Sequence, residues 1–196
     1  MPKYRLTILI FLLVVTMNII QLPNLQAKNT DSGIYCLIPL IQDIASDEDL
    51  IHFTDVQNSL LKMPQDIYAL DKQWIENSLN DSEINKILTN EVSMKLKSIV
   101  ENNPYFDEIF LTGNYATIIA ASNKTSDYYQ GDEEFYHHAV KNMPDGIYIS
   151  ASTPDRSAKA IGQKIAVPIM LNDNFIGVLA VIVGSWYNEF FKACGE

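Results

Sequence analysis

Basic residues are scarce in this chain: 14 Lys and Arg stand against 24 Asp and Glu in 196 residues, a formal charge of -10. No run of five or more basic residues occurs. Nucleic-acid binding depends on clustered cations that neutralise phosphates, so nucleic acid is excluded as a partner. Cysteine is almost as rare. Cys36 and Cys194 are the only two, too few for a disulfide-scaffold fold and not spaced as a metal or redox pair. The signatures of common catalytic sites are missing: there is no G-x-S-x-G, no phosphate-binding Gly-rich loop ending in Gly-Lys-Ser/Thr and no H-E-x-x-H. The adjacent His137 and His138 would point about 100° apart on a helix, which does not suit one metal ion. The reading is therefore of a non-enzyme with no cofactor and no metal. With 47% hydrophobic residues the chain still has ample material for a packed core, and whole-chain disorder is excluded.

The N-terminus has the three-part shape of an export signal. Lys3 and Arg5 precede an apolar stretch, Leu6 to Ile20, interrupted only by Thr7, Thr16 and Asn18; Pro23 and the small residue Ala27 follow. The stretch is about 15 residues long, against the roughly 20 needed to cross a bilayer core. Residues 1–27 are read as a signal peptide cleaved after Ala27, the alternative being an uncleaved anchor formed by residues 6–20. Either way the remainder is periplasmic or secreted. Residues 28–196 are read as one domain: a helical part to 104, a sheet part over 105–184 and a tail over 185–196. No second apolar stretch is long enough to span a membrane, and no output domain is expected.

Between residues 46 and 101 the apolar positions recur at helical spacing. A helix is predicted over 47–63, ended by Pro64. Ile67, Leu70, Trp74, Ile75 and Leu79 form one stripe; Ile84, Leu88, Val92, Leu96 and Ile99 form a second. Asn80 and Glu83 read as a capping box that starts the second helix. After Asn103-Pro104 the period changes to 2 and β-branched residues accumulate. Strands are predicted over 108–112, 117–121, 146–151, 161–168 and 175–183, with turns at Gly113-Asn114 and at Asn172-Asp173-Asn174. The last strand is apolar on both faces and is expected at the centre of an antiparallel sheet. A loop and a short helix over 132–141 lie between the second and third strands. The fold class is α+β.

Several stretches carry a family likeness: Leu70-Asp71-Lys72-Gln73-Trp74-Ile75, Asp107-Glu108-Ile109-Phe110-Leu111-Thr112, the block from Ala120 through Ser126-Asp127-Tyr128-Tyr129-Gln130-Gly131-Asp132-Glu133, and Ala166-Val167-Pro168-Ile169 followed by Ile176-Gly177-Val178-Leu179. In these the chain resembles the extracytoplasmic Cache domains, also called PDC sensor domains. The resemblance implies long N-terminal helices on a PAS-like antiparallel sheet of five to six strands. It also implies small-metabolite binding outside the cell that drives a chemoreceptor, histidine kinase or cyclic-dinucleotide enzyme. The chain departs from the family twice. Gly113-Asn114-Tyr115-Ala116 lacks the usual Thr-Asp-x-x-Gly of the first hairpin, so another turn geometry is expected. Phe135-Tyr136 resemble an aromatic pair that in the amino-acid-binding branch follows an Arg, but the Arg position holds Glu133, a carboxylate that repels a ligand carboxylate and attracts an amine, so amino-acid binding is not carried over.

The resemblance places the ligand pocket at Asp127, Tyr129, Glu133, Phe135 and Tyr136, completed by Tyr148 and by Asp155 in the loop after the third strand. Carboxylates beside Tyr faces favour an amine-bearing ligand, by charge pairing and cation–π contact. In such a topology both chain ends emerge together, so a Cys36–Cys194 disulfide is expected in an oxidising compartment. The resemblance also implies a membrane receptor or kinase as partner, and a homodimer through the N-terminal helix; the Trp74 stripe serves either that dimer or the sheet. The rival readings are an interaction scaffold of the same fold without ligand, and a small hydrolase.

Overall fold

In a computed structural model of the chain, the structure describes residues 30–60, 66–76, 82–151, 153–155 and 160–184. The predicted export segment, the Asn80 cap and Cys194 lie outside the described residues. From Asp31 on, the described residues belong to one unit. Among them no helix is long and apolar enough to cross a membrane.

The helical part begins earlier than predicted. A 3-10 helix, Thr30–Leu37, runs into α1, Ile38–Ala45, with a proline in its first turn where the missing N–H costs nothing. Ile34, Leu37, Ile41 and Ile44 are all buried along one side. Helix α2, Glu48–Leu60, starts where Asp47 accepts from the backbone N–H groups of Asp49 and Leu50 at 3.1 and 3.2 Å. Helix α3, Ile67–Glu76, carries the first predicted stripe, but only Ile67 and Trp74 are buried; Ile75 is 57% exposed. The second stripe is divided between α4, Ser82–Leu88, and α5, Glu91–Asn102. The break is made by Asn90, whose extended backbone ends one helix and whose Oδ1 accepts from Ser93 N at 2.8 Å to start the next. Asn90 Nδ2 also donates to the Ile119 carbonyl at 2.9 Å, and Ser93 Oγ accepts from Ala121 N at 2.9 Å. The same residues that interrupt the helix therefore fasten it to the sheet.

Strands β1, Phe106–Gly113, β2, Ile118–Ala121, β3, Tyr148–Ile149, β4, Thr153–Asp155, β5, Ala160–Leu171, and β6, Asn174–Gly184, form one antiparallel sheet. Its order is β2-β1-β6-β5-β3, with β4 beside β3 on the same edge of β5. This is the α+β architecture the motifs imply, helices on a PAS-like antiparallel sheet. Strand β6 is central and covered on both sides, as expected. Leu179, Val181 and Val183 face a core shared with α1, α2 and α5, while Val178 and Ala180 face a second core shared with Trp74, Ile84, Phe135 and Tyr136. The β1–β2 turn uses Ala116 in the left-handed region, φ 59°, and returns by Gly113 N to the Thr117 carbonyl at 3.0 Å. The β5–β6 turn places both Asn172 and Asp173 at positive φ, the mirror-image turn that matches strand twist. Along its outer edge β5 is paired only at Ala160–Gly162 with β4 and at Ile165–Ala166 with β3; among the described residues nothing pairs the stretch from Val167 to Leu171 on that side. Helix α6, Glu134–Lys141, lies over β3, β5 and β6.

Candidate functional site

The segment after β2 doubles back along it. Ile118 N donates to the Tyr128 carbonyl at 3.0 Å and Gln130 N to the Ala116 carbonyl at 2.7 Å. From the other side α3 clasps the same strap: Asp71 Oδ1 accepts from the N–H groups of Tyr128 and Tyr129, each at 2.8 Å, and Trp74 Nε1 donates to the Thr125 carbonyl at 2.9 Å. Trp74, 2% exposed, packs its ring 5.7 Å from that of Tyr128. The Leu70–Ile75 motif thus holds the strap, and Trp74 is spent inside the chain. Asp127 serves its own loop, accepting from Gln130 Nε2 and from Ser126 Oγ. Burial pushes its carboxyl above the usual range, against the lowering effect of those two bonds and with help from the charges of Asp71 and Asp132.

Helix α6 divides the rest of the predicted block, because neighbouring helical residues point about 100° apart. Phe135 turns toward the sheet and meets the Phe110 ring edge-on at 5.8 Å. Tyr136 turns toward the β1–β2 turn, where its hydroxyl donates to the Asn114 carbonyl at 2.9 Å and lies 3.4 Å from that of Gly113. Burial pushes this hydroxyl up to about 12, so it stays a neutral donor. Two separate clefts result.

The first, of about 160 Å³, lies under α6 against β3 and β5 and is lined by Glu133, Phe135, Tyr148, Ser150, Lys164 and Ile182 among others. Tyr148 comes from β3, in register with Ala166, and its hydroxyl donates to Glu134 at 3.1 Å. Burial, that bond and the charges of Glu134 and Glu133 push the Tyr148 hydroxyl upward. Lys164 was not singled out from the sequence. Its Nζ sits 4.5 Å from the centre of the Phe135 ring and 5.5 Å from that of Phe110. Its backbone is fixed by Ser150, whose N–H donates to the Lys164 carbonyl at 2.9 Å and whose Oγ accepts from Lys164 N at 2.8 Å. No carboxylate pairs with the ammonium among the described residues. A signal was there to read: Lys164 is the one charged residue within the predicted strand 161–168, on the face it shares with Ala166. A buried carboxylate, Glu108, lies in the adjoining part of the sheet, in register with Ile182.

Tyr129 and Tyr136 line the second cleft, on the other side of α6, with Tyr68 and Tyr115. Asp155 is in strand β4, in register with Ala160, where a loop was expected; its side chain lies outside the described residues. The predicted constellation is therefore distributed: Glu133, Phe135 and Tyr148 converge, Tyr129 and Tyr136 converge elsewhere, and Asp127 is held in the strap. His138 rests against the Tyr148 ring at 5.6 Å. Among the described residues no group of three His, Cys, Asp or Glu side chains gathers as metal ligands would.

No family model and no curated protein matches the chain. Among solved structures it is similar to the extracellular domain of a candidate histidine kinase, at 16% identity and a TM-score of 0.45, covering 81% of this chain and 60% of that one. It is similar also to the ligand-binding domain of the Campylobacter jejuni chemoreceptor Tlp3 in complex with L-valine, at 18% identity and a TM-score of 0.42, covering 81% and 65%. A third is the sensor domain of the V. cholerae histidine kinase DctB, at 13% identity and a TM-score of 0.38, covering 81% and 61%. The chain thus spans less than two thirds of the length of these neighbours. The first of these is described as an extracellular domain, the second as a ligand-binding domain and the third as a sensor domain.

Proposed function

We propose that this chain is an exported small-molecule-binding sensor module, performing no reaction of its own, that signals to a membrane receptor or kinase. The ligand occupies the cleft beneath α6 and carries an amine toward Glu133 and an anionic group toward Lys164. The observation that carries the reading is Lys164. A half-buried ammonium over an aromatic ring, with no carboxylate paired to it among the described residues, favours an anion that enters the cleft. Glu133 on the same cleft supplies the opposite charge, and the Phe135 and Tyr148 rings supply the walls. A cleft of about 160 Å³ is smaller than the sites of drug-sized ligands, about 300–1,000 Å³, so the ligand has few heavy atoms. Export through residues 1–27 and the signalling role rest on the sequence motifs.

The test is a thermal-shift screen of the full chain against amines, amino acids, carboxylates, purines and divalent metals, repeated with Lys164→Met and Glu133→Gln. A molecule bearing both an amine and an acid should raise the melting temperature, because a ligand that binds only the native state stabilises it by RT ln(1 + [L]/Kd). Both substitutions should abolish the rise. No shift from any class refutes the reading and favours the scaffold.

A further inference from the structure

The second cleft lies outside the pocket just proposed, and its composition is unusual. It encloses about 350 Å³ between the first turn of α3, the β1–β2 turn and the outer face of α6. Tyr68, Tyr115, Tyr129 and Tyr136 form its walls; no Lys or Arg lines it, and the imidazole of His137 is the one basic side chain among the residues lining it. The Tyr68 and Tyr129 rings meet at 5.6 Å and 59°, so they present differently oriented faces to one space. Tyr68 is 69% exposed, so its ring stays open to a molecule entering the cleft.

Two features fix this geometry. Tyr136 is tied by its hydroxyl to the β1–β2 turn. Tyr129 lies flat on Gly131: a Cβ there would stand 2.1 Å from the Tyr129 hydroxyl oxygen and 2.2 Å from the ring carbon bearing it. Gly131 is not at positive φ, so the ring, and not the backbone, is what requires glycine. Acidic groups flank Tyr129. Asp71 binds the Tyr129 N–H, and burial together with Tyr68 and Asp132 pushes the Tyr129 hydroxyl upward, which keeps the ring neutral.

We infer that this tyrosine-walled cleft is a second binding site, for a small organic cation of the quaternary or alkylated ammonium type. Aromatic faces attract such a cation through the ring quadrupole, and its alkyl groups fill an apolar space that a strongly hydrated metal ion would not enter. A neutral molecule of the same shape gains only the apolar contact.

The probe is tetramethylammonium, titrated into the full chain by calorimetry beside tert-butanol, a neutral molecule of similar bulk. Tetramethylammonium should bind at least about tenfold more tightly than tert-butanol. Gly131→Ala should abolish that binding by pushing the Tyr129 ring off its seat, with an unchanged circular dichroism spectrum. Tyr68→Ala should weaken it about tenfold, and Tyr35→Ala, which removes an exposed tyrosine elsewhere, should leave it unaltered. Equal affinity for the two probes, binding of neither, or full binding by a folded Gly131→Ala protein overturns the inference. Loss of tetramethylammonium binding in Glu133→Gln places the cation beneath α6 instead, which overturns the second site and leaves the sensor reading standing.

Discussion

Removing the Asp71 carboxylate tests how the strap over the sheet is held. Its Oδ1 accepts from two consecutive backbone N–H groups, those of Tyr128 and Tyr129, both at 2.8 Å. A hydrogen bond to a charged group contributes about 1.5–3 kcal/mol, and the half-exposed position of Asp71 sets each bond near the lower end. Asp71→Ala should therefore cost about 3 kcal/mol. Asp71→Asn retains an oxygen acceptor without the charge, for which about 0.5–1.5 kcal/mol per bond applies, so it should cost about 1–2 kcal/mol. The assay is urea unfolding of both variants, with amide hydrogen exchange at Tyr128 and Tyr129 as the local readout. Exchange at those two amides should accelerate in Asp71→Ala while the amides of β6 keep their protection until global unfolding. A cost below about 0.5 kcal/mol for the alanine variant would show that the strap is held by its pairing with β2 and by Trp74, and not by the Asp71 carboxylate.

Asn90→Asp should keep the cap on α5 and lose only the bond to the Ile119 carbonyl, whereas Asn90→Ala loses both; urea unfolding should place the alanine variant about 1 kcal/mol below the aspartate one. The Asp47 carboxyl is pushed up by burial but pulled further down by its bonds from Lys95 and from the N–H groups of Leu50 and Asp49, ending below 3.8. A group depressed on folding stabilises the native state above its unfolded pKa and loses that contribution as pH falls through the folded one. The stability difference between the native chain and Lys95→Met should thus be constant near neutrality and fade below about pH 4 in acid titrations. Intact mass of the exported protein should rise by two protons on reduction if Cys36 and Cys194 are bridged, a closure of nearly the whole domain worth about 4–5 kcal/mol by the chain-entropy model; two thiols in the untreated protein would remove the bridge from the reading.

Four strands of the sheet were legible because they are rich in apolar and β-branched residues and bounded by turn signals. The predicted strands fall within two residues of β1, β2 and β6, and β5 extends three residues past its predicted end. Strand β4 was not read, since Thr153-Pro154-Asp155 has the look of a loop; a proline fits a strand at an edge, where its missing N–H is not needed. The division of α4 from α5 was hidden by apolar residues that keep helical spacing across it, and only the capping chemistry of Asn90 betrays it. The 3-10 helix and α1 carried their signal in Ile34, Leu37, Ile41 and Ile44 but sit close to the export segment, where the apolar run dominates the pattern. The candidate site was legible only in part. Contiguity in sequence put Phe135 and Tyr136 in one pocket, while a helix turns them about 100° apart, toward different clefts. Lys164 belongs with Glu133 only because antiparallel pairing carries β5 beneath the start of α6.

The outer edge of β5, unpaired from Val167 to Leu171 among the described residues, bears on how the molecule avoids its own kind. Lys164 directs both backbone polar groups outward to Ser150, so with a period of two the same holds for Ala166 and Pro168. The first position beyond the reach of β3 is thus one where an added strand would look for an amide proton and find a pyrrolidine ring. A long, flat, apolar strand with a bare edge is a template for intermolecular stacking and fibril growth, and Pro168 spoils the template where it would start. Replacing it with valine would leave the fold's own ladder to β6 intact and give the edge back its donor, so the penalty would surface as turbidity on standing at high protein concentration, with no loss of melting temperature.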